Sequence, residues 1–387
     1  MNLTRRNFLQ AASVPLFGVT GGVGWAQTAA PMPYQNMLIL IELKGANDGL
    51  NTVVPFTDPA YASLRPRLAL ARDSVLQLSE REALHPSLKP LMTLWENKEL
   101  AVVQGLGYPG ANLSHFRSIE IWDTASKSDE YLSAGWLARS FAESPTPKQF
   151  AADGIIVGSN DMGPLSGSAR AITLADTASF LRNARLATAG EDSRNAALKH
   201  ILAVESEIVH AANKLNTNFA FKTAFPANAF GNQIRTAAQL IASKAGIACI
   251  RLSLGGFDTH AGQLPTHANL LAGLAEGISA LKSALVELNR WDQSVVMTYA
   301  EFGRRPKENQ SGGTDHGTAN VHFVTGGKVA GGLYGEAPKL NQLDGNGNLA
   351  FALDFRRQYA TVIDTWWGGN SAKVLGGKFA PMAWLKA

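Results

Sequence analysis

The hydrophobic positions along the chain follow two patterns that alternate. Continuous apolar runs are typical of strands that are buried on both faces of a parallel sheet. Such runs are found at 37–43, 100–105, 154–158, 247–254, 294–300 and 321–327. Apolar residues at three- and four-residue spacing, which is typical of helices, are found at 87–97, within 175–215, and at 232–246 and 266–291. Strands that alternate with helices are joined by right-handed crossovers, so the pattern predicts an α/β fold: a doubly wound, mostly parallel sheet with helices on both faces.

The first 26 residues have the composition of an export signal. Arg5 and Arg6 precede a short apolar stretch that is rich in glycine and alanine and ends in small residues. This stretch is too short and too rich in glycine to span a bilayer. We therefore predict a twin-arginine signal peptide over 1–26, export by the twin-arginine translocase, a periplasmic or secreted location and no stable membrane span. The remainder, 27–387, is predicted to form a single α/β domain with loop insertions.

Charge and cysteine content narrow the range of functions. The formal net charge is +4, and Arg5 and Arg6 contribute two of those charges. So small a charge, without a basic block, gives no reason to expect nucleic acid as a partner. The chain has one cysteine, Cys249, so no intrachain disulfide can form; its place in an apolar run predicts a buried structural thiol. Stability must therefore come from a hydrophobic core, for which 45% apolar residues are sufficient.

Polar side chains follow four of the predicted strands, and a fifth cluster lies just before another. In open α/β sheets the ligand site lies beyond the carboxyl ends of the strands. The residues delivered there are Asp48; Ser114, His115 and Arg117; Asp258 and His260; Glu301 and Arg304; and Asp315 and His316. Carboxylates and imidazoles are ligands for zinc and similar divalent ions, and glycines beside them let the backbone turn sharply. The sequence therefore predicts a metal site at this edge of the sheet.

Taken singly, each of these clusters also has a structural explanation. Asp258 could cap a helix with His260 beside it by chance, and Asp48 lies in a sequence that is common in turns. Glu301 could form a surface ion pair with a nearby arginine. Their coincidence at one edge favours a divalent metal, with zinc preferred and calcium, magnesium and manganese left open. The remaining histidines are interpreted as surface or core residues, and His322, inside a strand pattern, as a core residue.

Several motifs together resemble a known family. They are "LKGANDGLNTVVP", "SHFRS", "GGFDTH", "EFGRR", "GTDHG" and "DFRRQYATVIDTWWG". These motifs resemble the twin-arginine-exported bacterial proteins called domain of unknown function 1501, across essentially all of 27–387. The family is similar to a distant branch of the alkaline phosphatase superfamily, which includes sulfatases, and this implies an alkaline-phosphatase-like fold.

The superfamily resemblance also implies roles for individual residues. Asp48 would bind one metal ion together with Glu301, and Asp258, His260 and His316 would bind another. Ser114 would be the nucleophile. Two features depart from the superfamily pattern: one residue separates Asp258 from His260 where three are usual, and Phe302 stands where a metal-binding histidine is expected. Asp315 or His115 could take the place of that histidine, and in a rival alignment Asp315 and His316 themselves form the Asp-His-Gly motif.

These residues suggest a hydrolase of phosphate or sulfate esters with one or two metal ions. Ser114 would attack the ester, and Arg117 or Arg304 would stabilise the developing anion. Its substrate would be a small molecule or a glycan ester. Two alternatives remain open at this point. One is an inactive binding or assembly protein that retains the fold, and the other is a transferase of phosphoryl groups in the cell envelope.

Overall fold

The computed structural model of the chain describes residues 34–168, 170–184, 196–215 and 218–386. The predicted signal peptide, 1–26, lies outside the described residues. All the described residues belong to one unit, Pro33–Ala387.

The described residues form fourteen strands and eleven α-helices, numbered in chain order. The strands β1 to β14 are Met37–Lys44, Val53–Val54, Leu76–Gln77, Ala83–Leu84, Leu100–Gly107, Ala152–Val157, Ala171–Leu174, Ile247–Gly255, Ser294–Tyr299, Arg304–Glu308, Thr314–His316, Asn320–Thr325, Gly332–Gly335 and Leu353–Asp354. The helices α1 to α11 are Gly49–Thr52, Pro59–Leu64, Met92–Glu96, His115–Thr124, Trp136–Glu143, Thr177–Ala184, Ala196–Leu215, Ala229–Ala242, Gln263–Glu287, Arg356–Ala360 and Ser371–Val374.

One large sheet organises the molecule. Its strand order is β13-β5-β12-β9-β1-β8-β6-β7, and β14 pairs with β5 at its end. All neighbouring pairs are parallel except the two that β12 makes with β5 and β9. The predicted α/β class, with a mostly parallel sheet, is confirmed.

Helices cover both faces of this sheet. Along β1, Ile39 and Ile41 pack in a core with residues of α8 and α9, such as Phe230 and Leu274. The alternating residues Leu38 and Leu40 point to the other face and pack in a second core with residues of α4 and α5. Two buried faces explain why the strands are continuously apolar, because neither face of a central strand reaches water.

The helix α9 is the one described helix that is long and apolar enough to cross a membrane by length and composition. Half of its apolar window is buried within the fold. Leu271, Leu274, Ile278 and Leu281 of this helix belong to the core on one face of the sheet. Its apolar character is therefore that of a core helix, for which the sheet provides the apolar surroundings.

Two details differ from the pattern that the sequence predicts. The predicted helix at 87–97 consists of a 3-10 helix, Pro86–Leu91, followed by α3; Pro90, inside it, lacks the N–H that an α-helix would need. Between β9 and β12, where the sequence pattern predicts no element, the chain forms a hairpin of β10 and β11. Without a crossover helix, β12 enters the sheet antiparallel to β9.

Candidate metal centre

The loop after β8 presents Asp258 and His260 at the edge of the sheet. Gly256 has a φ angle of 109°, in the left-handed region that favours glycine, and turns the chain out of the strand. The loop after β1 passes directly behind it: a Cβ atom on Gly45 would lie 2.5 Å from the backbone nitrogen of Asp258. The close passage of these two loops brings the ends of neighbouring strands β1 and β8 together.

Four side chains converge on one point at this edge. The Oδ1 atom of Asp258 lies 3.0 Å from Nε2 of His260 and 3.4 Å from Nε2 of both His115 and His316. The Nε2 atoms of His260 and His316 are 3.0 Å apart. Among the described residues, His115, Asp258 and His316 each offer one ligand atom, and these atoms lie within 4.8 Å of one another.

Each of the three imidazole rings also has an oxygen atom close to its Nδ1 atom. Nδ1 of His115 lies 2.7 Å from Oε1 of Glu301, and Nδ1 of His316 lies 2.8 Å from the carbonyl oxygen of Leu113. Nδ1 of His260 lies 3.5 Å from Oδ1 of Asp315. An acceptor at Nδ1 places the ring proton there and leaves the lone pair of Nε2 facing the centre, which is the arrangement of metal-binding histidines.

The geometry of the centre fits a divalent ion such as zinc. In a tetrahedral zinc site with Zn–N bonds of 2.0–2.1 Å, ligand atoms lie about 3.3 Å apart. The distances of 3.4 Å from Oδ1 of Asp258 to Nε2 of His115 and of His316 are close to this value. The Nε2 atom of His115 is buried and has no hydrogen-bond partner in the described part of the chain. Lone pairs that face one another at these distances repel unless a cation or protons lie between them. The residues present therefore suit a bound cation.

The surroundings of the centre favour the ligand forms of Asp258 and His316, and they make His115 more basic. Burial alone would raise the pKa of Asp258, but the hydrogen bond and charge of Arg304 hold it below its usual range. Burial lowers the pKa of His316, which favours the neutral ring that a metal requires. The hydrogen bond to Glu301 raises the pKa of His115, because the carboxylate makes this imidazole more basic.

The hairpin of β10 and β11 supplies His316 and Arg304. These two residues are paired across the hairpin. The guanidinium of Arg304 is fully buried and donates to Oδ1 of Asp258 at 2.5 Å. It also donates to the carbonyl oxygens of Gly45, Ala46, Phe257 and Thr314. Arg304 therefore ties the hairpin to the loops after β1 and β8, and its position holds Asp258 towards the histidines.

Asp48 lies outside this group of four. It caps the short helix α1, and both its oxygens contact the guanidinium of Arg65, at 2.5 and 3.0 Å. Gln263 also donates to Oδ2 of Asp48 at 2.5 Å. Burial would raise the pKa of Asp48, but the charge of Arg65 keeps it low. The side chains of Asp48 and Arg65 are both completely buried, and the guanidinium of Arg65 matches the charge of the carboxylate.

Ser114 lies next to the centre. It is exposed, it precedes the first residue of α4, and its hydroxyl makes no capping hydrogen bond. Its two neighbours in the chain both contact the centre, Leu113 through its carbonyl oxygen and His115 through its ring. Arg117, by contrast, donates to the carbonyl oxygens of residues 127, 128 and 130, and stacks on the ring of Tyr131 at 3.9 Å.

Phe302 forms a wall of the centre and offers no ligand atom. Its ring is buried, with its centroid 4.9 Å from that of His115 and 4.8 Å from that of His316. Two residues with a clear local role are absent from the sequence-based set: Arg65 and Gln263, the partners of Asp48. No sequence signal marks them, because they contact Asp48 from 17 and 215 positions away.

Comparison with solved structures finds distant similarities. The C-terminal periplasmic domain of EcEptC from Escherichia coli, in complex with Zn, is 9% identical over 78% of this chain and 78% of that chain, with a TM-score of 0.41. Ps i-CgsB in complex with k-i-k-neocarrahexaose is 10% identical over 90% of this chain and 75% of that chain, with a TM-score of 0.45. Alkaline phosphatase from the Antarctic bacterium TAB5 is 11% identical over 78% of this chain and 95% of that chain, with a TM-score of 0.33.

Comparison at the level of sequence gives a firmer result. No curated protein matches the chain. A family model described as "Protein of unknown function (DUF1501)" matches residues 84–374, a range that includes every residue of the candidate metal centre. This range covers well over half of the sequence, and the family is the one that the motifs indicate. The chain is therefore a member of the DUF1501 family.

Proposed function

We propose that this protein is an exported hydrolase of phosphate or sulfate esters that uses one divalent metal ion and Ser114 as nucleophile. The observation that carries the proposal is the convergence of three imidazole Nε2 atoms on one oxygen of Asp258. Zinc is the preferred ion, since imidazole and carboxylate ligands suit it. Export by the twin-arginine translocase into the periplasm remains a prediction from 1–26.

A single ion is proposed rather than two. The predicted second site needs Asp48 and Glu301 as ligands. Both oxygens of Asp48 are engaged by Arg65 in a completely buried pair, and Oε1 of Glu301 accepts from the backbone of Gly45 and contacts His115. In the proposed site Glu301 orients His115 and Asp315 orients His260. His115, Asp258 and His316 would bind the ion and leave a fourth position for an ester oxygen.

The proposed reaction has two steps at Ser114. A divalent ion at the centre would supply Lewis acidity, polarising an ester oxygen and favouring the ionised hydroxyl. The Oγ atom of Ser114 attacks the phosphorus or sulfur atom, and the alcohol leaves with a proton as its bond to that atom breaks. Water then cleaves the bond between Oγ and phosphorus or sulfur and restores Ser114. The exposed position and uncommitted hydroxyl of Ser114 support this role.

The two arginines predicted to stabilise the anion have structural partners instead. The guanidinium of Arg304 is surrounded by Asp258 and four carbonyl oxygens, and that of Arg117 donates to the carbonyl oxygens of residues 127, 128 and 130. We assign Arg304 the positioning of Asp258, and Arg117 the anchoring of the segment after α4. Neither is proposed to contact the substrate.

The test combines metal analysis with turnover. Protein purified without chelator is expected to contain about one equivalent of divalent metal and to hydrolyse aryl phosphate or aryl sulfate. Ser114→Ala should keep the metal and lose at least about a hundredfold in kcat, because the nucleophile is removed. The exposed serine variant Ser133→Ala is the matched control and should retain both. Unchanged turnover in Ser114→Ala would exclude the serine mechanism.

A second candidate function is supported by the number of ligands. If His260 binds the ion together with His115, His316 and Asp258, four protein atoms complete a tetrahedral shell, as in structural zinc sites. The protein would then be a binding or assembly protein stabilised by its metal. Metal content of one equivalent with no turnover of any ester, and with a large loss of thermal stability on chelation, would favour this function. Product analysis with an added alcohol acceptor would distinguish a transferase from a hydrolase.

A further inference from the structure

A second depression lies along the same edge of the sheet. It has a volume of about 270 Å³ and is lined by residues of β5 and the start of β12, and by segments that follow β1 and β13 and precede β14. Its apolar lining includes Leu50, Val53, Val321, Leu349 and Phe351. None of the four side chains that converge at the candidate metal centre lines this pocket. The pocket is large enough for a small organic group and is separate from the converging ligand atoms.

Gln104 gives this pocket an unused hydrogen-bonding group. The residue lies in β5, is 4% exposed and lines the pocket. Its side-chain amide makes no hydrogen bond to any described residue, whereas the nearby amide of Asn320 donates to the carbonyl oxygen of Phe302. An amide at the wall of a pocket that makes no hydrogen bond within the protein can pair with a ligand or with water.

The charged groups of the pocket are already paired with one another. Glu336 and Lys339 form an ion pair of 2.6 Å at its exposed side, and both side chains are more than half exposed. Arg304, which also lines the pocket, is buried and bound to Asp258. Every charged residue that lines the pocket therefore already has a partner of opposite charge. An ionic ligand would lose its hydration there without gaining an ion pair.

We infer that this pocket binds a neutral, partly apolar group that both donates and accepts a hydrogen bond, such as a carboxamide or hydroxyl on a short hydrocarbon. The polar end pairs with the amide of Gln104, and the hydrocarbon lies against Val53, Val321 and Phe351. The inference is independent of the proposed esterase reaction. The same chemistry could belong to a free ligand or to the organic part of an ester bound at the metal centre, because Arg304 lines the pocket and contacts Asp258.

The experiment uses hexanamide as the probe and the full chain with its metal. Binding is followed by ligand-observed NMR and isothermal titration, neither of which depends on turnover. Gln104→Leu should weaken binding by about tenfold, since one hydrogen bond to a buried group is lost. Ala350→Trp, at an exposed lining residue, should abolish binding by filling the mouth of the pocket. Ala142→Trp, on the exposed face of α5, is the matched control and should bind like the natural chain.

The outcomes separate the pocket from the metal chemistry. Hexanamide that binds to the natural chain but not to Ala350→Trp supports the pocket, even if no ester is hydrolysed. Absence of binding, equal binding to Gln104→Leu and Ala350→Trp, or equal binding of hexanoate or hexylammonium would overturn the inference. With active protein, competitive inhibition by hexanamide identifies the organic part of the substrate as the occupant, and binding without inhibition identifies a separate ligand.

Discussion

At the scale of single residues, the candidate centre depends on which nitrogen each histidine presents. His115, His260 and His316 all direct Nε2 to the centre, and each has an acceptor beside Nδ1. The acceptors differ in strength and burial: the carboxylate of Glu301 is buried, whereas that of Asp315 is 53% exposed. A buried carboxylate influences the ring more strongly, because solvent screens it less. Glu301 should therefore be the most important residue that does not itself touch the ion.

We predict that Glu301→Gln weakens metal binding by about ten- to a hundredfold, the usual effect of removing the carboxylate partner of a metal-bound histidine. The amide retains the size of the side chain but loses the charge that makes His115 more basic. Asp315→Asn is the matched control at His260, and because Asp315 is exposed and 3.5 Å away, a smaller effect is expected. Metal affinity is measured by competition with a chelating dye. Equal affinity in Glu301→Gln and the natural chain would contradict the proposed role.

The sequence predicted which residues lie at the candidate centre. It did not predict which of them are placed to bind an ion and which are placed to orient a histidine. Six of the predicted site residues, together with Arg304, lie in one neighbourhood. The strands β5, β8 and β9 end at this edge of the sheet, and the hairpin of β10 and β11 follows β9 there. Whether a carboxylate binds an ion directly or holds a histidine depends on ring orientation and on distances of a few ångströms. No spacing along the chain encodes those distances. The ion pair between Asp48 and Arg65 could not be predicted for the same reason.

At the scale of elements, hydrophobic periodicity predicted the strands and helices that have long apolar patterns. The strands β1, β5, β8 and β9 and the helices α8 and α9 lie where the pattern places them. The hairpin of β10 and β11 was not predicted, because its residues are mixed in polarity and show no hydrophobic periodicity. This hairpin supplies His316 and Arg304. It is held against the rest of the molecule partly by Arg65, which donates to the carbonyl oxygens of Arg305 and Pro306.

We predict that Arg65→Met lowers the free energy of unfolding by about 3–5 kcal/mol, because it leaves the charge of Asp48 buried and unpaired. The double variant Asp48→Leu/Arg65→Met should lose less than the sum of the two single variants, since no isolated charge remains. Urea unfolding measures all three.

Arg67→Met is the matched control for this pair. Arg67 forms a 2.7 Å ion pair with Glu308 on the same hairpin, but its side chain is 55% exposed. Exposed pairs contribute about 0–1 kcal/mol. If the two single arginine variants lost equal stability, burial of the Asp48–Arg65 pair would not be what anchors the hairpin.

At the scale of the whole molecule, polar groups buried in the core link stability to pH. Arg251, in the central strand β8, is fully buried and donates to Glu42 on the neighbouring strand β1 and to Tyr299 on β9, the next strand beyond it. Burial raises the pKa of Tyr299 and of Glu42, so these groups resist ionisation inside the sheet. For histidines in the core, burial shifts the pKa downwards: it lowers the pKa of His267 to about 4 and that of His322 to about 3. His322 in the core agrees with its interpretation from the strand pattern.

The direction of the resulting pH dependence follows from proton uptake. Below a pH of about 6.5 an unfolded histidine binds a proton, whereas folded His322 stays neutral until the pH approaches 3. The unfolded state then holds more protons, and stability falls as the pH is lowered through this window. The loss is about 1.4 kcal/mol per pH unit for one histidine, which amounts to about 2 kcal/mol between pH 6.5 and pH 5.

We therefore predict that His322→Leu reduces the difference in stability between pH 7.5 and pH 5 by about 2 kcal/mol. At pH 7.5 its stability should equal or exceed that of the natural chain, because Nε2 of His322 is buried without a hydrogen-bond partner and the hydroxyl of Thr298 still accepts from the backbone of Phe323. Urea unfolding at both pH values tests this, with metal removed from both proteins so that loss of the ion at low pH does not contribute. An unchanged pH dependence in His322→Leu would show that other buried groups, His267 first among them, control the acid stability of the fold.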